Sequence, residues 1–233
     1  MSATYARRLR SILTPAEARV LRKLGSPRKI QDFVDTLAIN MEADARTYMS
    51  PRRVLRTGQA HCVEGAMLAA AALAFHGERP LLLDFQAAFD DEDHVVALFR
   101  LNGHWGAISK TNHPGLRYRD PVHSSVRSLA ASYFHEYYMW DGRKSLRQFS
   151  RPFDLARYAP DAWVTPEHDL DRVVHALDAS PHLPIVPKGN LSELRPASAF
   201  EIHASAAIEW RNDGRLTPIP PRNKRGGAAK PAA

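Results

Sequence analysis

The spacing of apolar positions changes period twice along the chain. From Thr14 to Thr57 apolar residues recur every three or four positions, between clear start signals. Thr14-Pro15-Ala16-Glu17 supplies an N-cap, a proline at the first helical position and a glutamate at capping-box spacing, so a helix opens there and ends near Gly25. Ser26-Pro27 repeats the signal, and Ile30, Phe33, Val34 and Leu37 then fall on one helical face. Ser50-Pro51 opens a short third helix, closed by Gly58. In the next stretch Val63, Ala66, Met67, Ala70, Leu73 and Ala74 lie among small apolar neighbours, with Gly77 as the stop. A helix apolar nearly all round belongs in the interior, so this one is expected to be central and buried.

Beyond Pro80 the pattern becomes that of strands. Leu81 to Phe85 is a short apolar run, followed by the acidic loop Asp90-Asp91-Glu92-Asp93. His94 to Leu101 is rich in β-formers, Asn102-Gly103 is a two-residue hairpin turn, and His104 to Ser109 returns. Leu116 to Asp120 reads as a further strand stopped by Pro121. Helical spacing resumes through Val126, Leu129 and Tyr133 toward Tyr138, the proline-rich stretch 150–167 reads as a wrapping segment, and Glu167 to Leu177 as a last helix. Helices, then antiparallel strands, then helices make an α+β chain. The expected organisation is a basic N-terminal helical extension over 1–25, a core with C-terminal helices over 26–180, a wrapping segment over 181–210 and a basic disordered tail over 211–233.

Composition narrows the function classes. At 233 residues, with 44% hydrophobic and 24% charged residues, the chain is long enough for a folded core. No apolar run approaches the ~20 residues that span a bilayer, so no membrane partner is expected, and the start lacks the apolar stretch of a secretory signal. The net charge of +7 is unevenly spread: residues 1–30 carry +7 and residues 211–233 carry +5, which leaves the body acidic. That distribution speaks for basic ends rather than a basic groove, so nucleic acid remains a possible partner only through those ends. The single cysteine, Cys62, excludes an intrachain disulfide and a multi-cysteine zinc site and fits a reducing, cytoplasmic setting. The histidines show no metal-ligand spacing and no glycine-rich phosphate loop is present, so neither a metal nor a cofactor is expected.

Cys62 stands at the head of the buried helix. A lone cysteine is more often an inert core thiol, but a helix N-terminus stabilises a thiolate and gives a packing residue nothing. His94 opens a strand and Asp120 ends one, both places where a sheet holds a side chain rigidly with its tip open. A thiol nucleophile needs such a base, and a third group to fix the imidazole tautomer. The bland alternatives are a loop histidine and a turn aspartate. His61 and His104 are rival bases. The backbone N–H of Cys62 and the side chain of Gln59 are candidate oxyanion donors.

The order Gly58-Gln59-Ala60-His61-Cys62-Val63-Glu64-Gly65-Ala66, the alanine-rich helix, His94-Val95-Val96-Ala97-Leu98, Gly103-His104-Trp105 and Asp120-Pro121 resembles the transglutaminase-like family, within the papain-like cysteine-protease fold. The resemblance runs from about Arg56 to Val122. It implies N-terminal helices leading to a Cys-bearing helix packed on an antiparallel sheet. It also implies Cys62 as nucleophile, His94 as general base and acid, Asp120 as orienting carboxylate, and a peptide or protein substrate cleaved or transamidated through a thioester. Trp105 and Asp120 stand further apart here than in many relatives, and Val63-Glu64 follows the cysteine in place of an aromatic, so the calcium-dependent crosslinking enzymes are poor guides. The other readings are a non-catalytic protein-binding scaffold and a nucleic-acid-associated protein using its basic ends.

Overall fold

The computed structural model describes residues 3–41 and 47–206. The tail expected over 211–233 lies outside the described residues. The chain runs through α1 (Ala3–Ser11), α2 (Pro15–Lys23), α3 (Pro27–Thr36), β1 (Ala38–Ile39), α4 (Pro51–Thr57), β2 (Gln59–Ala60) and α5 (Cys62–Phe75). It continues through β3 (Leu81–Ala87), β4 (His94–Leu101), β5 (His104–Ile108), β6 (Arg119–His123), α6 (Val126–Phe134), β7 (Leu146–Ser150), β8 (Phe153–Asp154), α7 (Asp171–Asp178), β9 (His182–Pro184) and α8 (Ala199–Ser205), with short 3-10 turns between. Strands β3 to β9 form one antiparallel sheet in the order β6-β5-β4-β3-β7-β9, with β8 also on β3. The fold is α+β.

The helix starts are built as their sequences dictate. Thr14 Oγ1 accepts from the Glu17 N–H at 3.2 Å while Glu17 Oε2 accepts from the Thr14 N–H at 2.7 Å, a complete capping box. Ser26 and Ser50 cap α3 and α4 ahead of their prolines, and Gly58 ends α4 in the left-handed region at φ 70°. Asn102 and Gly103 carry positive φ at the β4–β5 hairpin, as its turn geometry requires.

The sheet has a core on each face. On one side Leu82, Val95, Ala97 and Ile108 meet α5, whose residues from Val63 to Phe75 are all buried, and α1 to α4 cover its far side with Leu9, Leu21, Ile30, Val34 and Val54. On the other side Leu83, Phe85, Val96, Leu98 and Ala107 pack on α6 through Leu129, Ala130 and Tyr133. The proline-rich stretch after β7 ties back to the N-terminal helices: Trp163 Nε1 donates to Tyr5 Oη at 2.9 Å, and Arg53 pairs with Asp169 at 2.6 Å.

Several boundaries differ from the sequence reading. The strand expected over Leu116 to Asp120 begins at Arg119 and runs through Pro121; β6 is an edge strand, where a missing N–H costs no ladder bond. The last helix of the core starts at Asp171 rather than Glu167, and α8 follows it. No helix among the described residues is long and apolar enough to cross a membrane.

The contact between α5 and Lys110, two residues past β5, leaves no room for a side chain at Gly65. A Cβ at Gly65 would overlap the Cβ of Lys110, which is itself buried with Nζ donating to the Leu37 carbonyl at 2.5 Å. Gly65→Ala is therefore expected to destabilise the fold by about 1–3 kcal/mol, the ordinary cost of overpacking. Thermal unfolding followed by circular dichroism checks this, and an unchanged melting temperature would show that Lys110 yields freely.

Candidate active site

Cys62 is the first residue of α5, and among the described residues no group accepts from its backbone N–H. The chain enters through Gln59 and Ala60, which pair in parallel with Ala38 and Ile39, so the two-stranded β1–β2 ladder aims the helix start. The half-buried thiol stands against two imidazoles, those of His61 and His94. Burial pushes the thiol upward, but hydrogen bonds from His61 and His94 and their charges outweigh it and bring Cys62 down to about 5. That shift favours the thiolate at neutral pH.

His94, the first residue of β4, is buried and stacks on Phe85 of β3 at 6.4 Å between centroids. Its Nε2 meets Ser109 Oγ at 2.9 Å. That hydroxyl has one proton, and it goes to the Leu116 carbonyl at 2.6 Å. Ser109 Oγ therefore accepts from His94, which fixes the proton on Nε2 and leaves Nδ1 for the thiol. Ser109 is held in turn by Gln31 of α3, whose Oε1 accepts from the Ser109 N–H and whose Nε2 donates to the Ser109 carbonyl, both at 2.9 Å. A buried amide side chain thus serves as a one-residue strand partner at the end of β5.

The expectation for Asp120 is corrected. Register places its neighbour Arg119 opposite Ala107, which lies opposite Leu98, four residues along β4 from His94 and two strands away. Asp120 is exposed on the edge strand, and the position beside the ring belongs to Ser109. The stretch 110–118 between β5 and β6 lengthens the path and carries the carboxylate past the site. His104, the rival base, lies at the opposite end of β4 from His94, about 20 Å away at ~3.3 Å per residue. Its Nδ1 meets the Asn102 carbonyl within the hairpin.

His61 is brought to the sulfur from the helix N-cap. Its Nε2 meets the Thr47 carbonyl at 2.7 Å and lies 3.5 Å from Glu64 Oε1. Glu64 has no exposed surface, and its carboxylate accepts from Asn40 Nδ2 at 3.0 Å, Thr47 Oγ1 at 2.9 Å, the Met49 N–H at 2.8 Å and the His61 N–H at 3.1 Å. Burial pulls His61 down, yet the Cys62 hydrogen bond and charge, then Glu64 and the Thr47 carbonyl, raise it to about 9. Gln59 is half-buried beside the helix start. Among the described residues no group of three or more His, Cys, Asp or Glu is placed to hold a metal ion.

Sequence reasoning missed Ser109, Gln31 and the part of Glu64. The Glu64 signal was present: a glutamate three residues after the N-cap, in a helix otherwise apolar all round, is a buried carboxylate that must find donors. Compared with known proteins, the chain matches no protein-family model and no curated protein sequence.

Two substitutions separate the expected third group from the observed one. Asp120→Asn should leave stability within about 0.5 kcal/mol, as an exposed site does, and leave thiol alkylation at pH 6 unchanged. Ser109→Ala strands the buried Nε2–H and should cost about 1–3 kcal/mol, with slower alkylation. Urea unfolding and iodoacetamide labelling measure both. A sensitive Asp120 with an indifferent Ser109 would reverse the assignment.

Proposed function

We propose that the protein is a cysteine hydrolase or acyltransferase of the transglutaminase-like kind, with a papain-like core, acting on an amide of a peptide or protein through a thioester at Cys62. The observation that carries this reading is the Cys62–His94 pair at the start of α5, with a thiol brought down to about 5 and a base whose tautomer is fixed by Ser109. The α+β architecture supports it, since helices lead into a Cys-bearing helix packed on an antiparallel sheet.

The thiolate would add to the substrate carbonyl, and the negative charge on its oxygen would face the unpaired Cys62 N–H at the helix start. Gln59, two residues before the N-cap, is the second candidate donor. As the C–N bond breaks, the proton that Cys62 gave up to His94 Nδ1 passes to the leaving nitrogen, giving a free amine and a thioester. Water, or a second amine, then loses a proton to Nδ1 as it attacks, and the thiolate leaves. A carboxylate normally steadies the imidazolium in such a cycle; here the partner is an uncharged hydroxyl, which holds the ring's orientation and contributes less to its charge.

Burst kinetics with p-nitrophenyl acetate test the reading. The parent should release about one equivalent of p-nitrophenolate quickly and then turn over, Cys62→Ser should show neither phase, and His94→Ala should acylate without turnover. Iodoacetamide labelling should be nearly independent of pH from 6 to 9. At pH 6 it should run roughly tenfold faster than an unperturbed thiol, because a larger thiolate fraction outweighs lower nucleophilicity. Fast labelling without any acyl transfer would favour a binding scaffold instead.

A further inference from the structure

Two imidazoles reach one sulfur, and their surroundings are not equivalent. His94 Nε2 donates to a neutral hydroxyl that has spent its own proton. His61 Nε2 faces a carbonyl at 2.7 Å and a carboxylate oxygen at 3.5 Å, and neither can donate. The 2.7 Å contact with a carbonyl oxygen requires a proton on that nitrogen. The His61 ring interacts with both the buried Glu64 carboxylate and the Cys62 thiol, and both favour the doubly protonated ring. Glu64 cannot turn away, because Asn40, Thr47, Met49 and the His61 backbone all donate to it.

We propose that the two histidines divide the work: His61 is a fixed cationic partner that keeps Cys62 ionised, and His94 alone moves the proton. The inference deepens the acyl-transfer reading by assigning a second residue that touches the reacting atom. Two rings whose environments differ in this way take different roles on general grounds. The raised value of His61, about 9, and the lowered value of Cys62, about 5, agree with an ion pair at rest. The other groups around this pair are Tyr48, edge-on to the His61 ring, His113 near His94, and Tyr137. The last lies within the electrostatic reach of Cys62 and of Asp84, Asp91 and Asp93. Burial opposes a thiolate at Cys62, so its ionised form needs a cation that a ring engaged in shuttling cannot continuously supply.

The experiment uses the full chain and the ultraviolet absorbance of its single thiolate, read near 240 nm against Cys62→Ser. His61→Gln and His61→Asn, with folding checked by circular dichroism, should each lower the acid dissociation constant of Cys62 by tenfold or more. The pH profile of p-nitrophenyl acetate turnover in these variants should move to higher pH, with activity recovered to within about threefold of the parent at pH 9. His94→Ala should stay without turnover at every pH. The proposal is overturned if both His61 variants keep the parent thiol titration, or if their turnover stays lost at pH 9. The thiolate absorbance needs no acyl chemistry, so the two readings fail separately. A parent that does not turn over the ester sinks the hydrolase reading, while the absorbance shift still decides the part of His61.

Discussion

Burial of α5 sets the position of everything else. The helix has no polar face, so it must be enclosed on all sides: α1 to α4 lie along one side and the sheet along the other. Six of its fourteen residues are alanine and its one glycine sits against Lys110, so neighbouring backbones come close and their separations are set by contact rather than by adaptable side chains. A helix held this tightly has only its N-terminus to offer solvent, and Cys62 is there. The same packing brings Lys110, and Ser109 just before it, to the start of α5, which places His94 and its hydroxyl partner over the sulfur.

What could be read from the sequence was local. Proline-led helix starts, the Asn102-Gly103 hairpin and the alanine-rich helix are written in neighbouring residues, and so were the positions of Cys62 and His94 at element starts. What could not be read was register. Whether Asp120 or Ser109 stands beside His94 depends on how β5 and β6 align with β4 across a long connection, and no short-range pattern reports that alignment. Leu146–Ser150 was passed over for a related reason: its partner β3 lies some sixty residues earlier, and mixed polar and apolar residues at the far side of a sheet give a weak period-two signal. Gln31 is the extreme case, a polar residue on the apolar face of α3 whose reason is a backbone 78 residues away.

The two imidazoles also explain how a thiol set into the protein is shifted toward its ionised form, while the nearby acidic loop has partners of its own. The loop Asp90 to Asp93 is engaged within the protein: Asp90 pairs with Arg143, Asp91 accepts from Ser145, and Asp93 accepts from the Ala87 N–H. Asp91 and Asp93 act on Tyr137, whose raised value has burial as its first cause and these charges after it. The lowered value of Cys62 is therefore the local effect of two rings at the sulfur working against burial.

The Glu64 hub has a consequence for the way this part of the molecule opens. One carboxylate receives donors from two stretches, Asn40, Thr47 and Met49 between β1 and α4, and the turn before α5. Withdrawing any of them leaves a buried charge short of a donor, which raises the energy of the partly opened state and weakens the hold on the others. Their fluctuations become a single cooperative event instead of several independent ones, and the Met49 amide should exchange its hydrogen in step with the first turn of α5. The order of the segment leading into the site and the orientation of the nucleophile are thereby one equilibrium, and a ligand that steadies either end steadies the other.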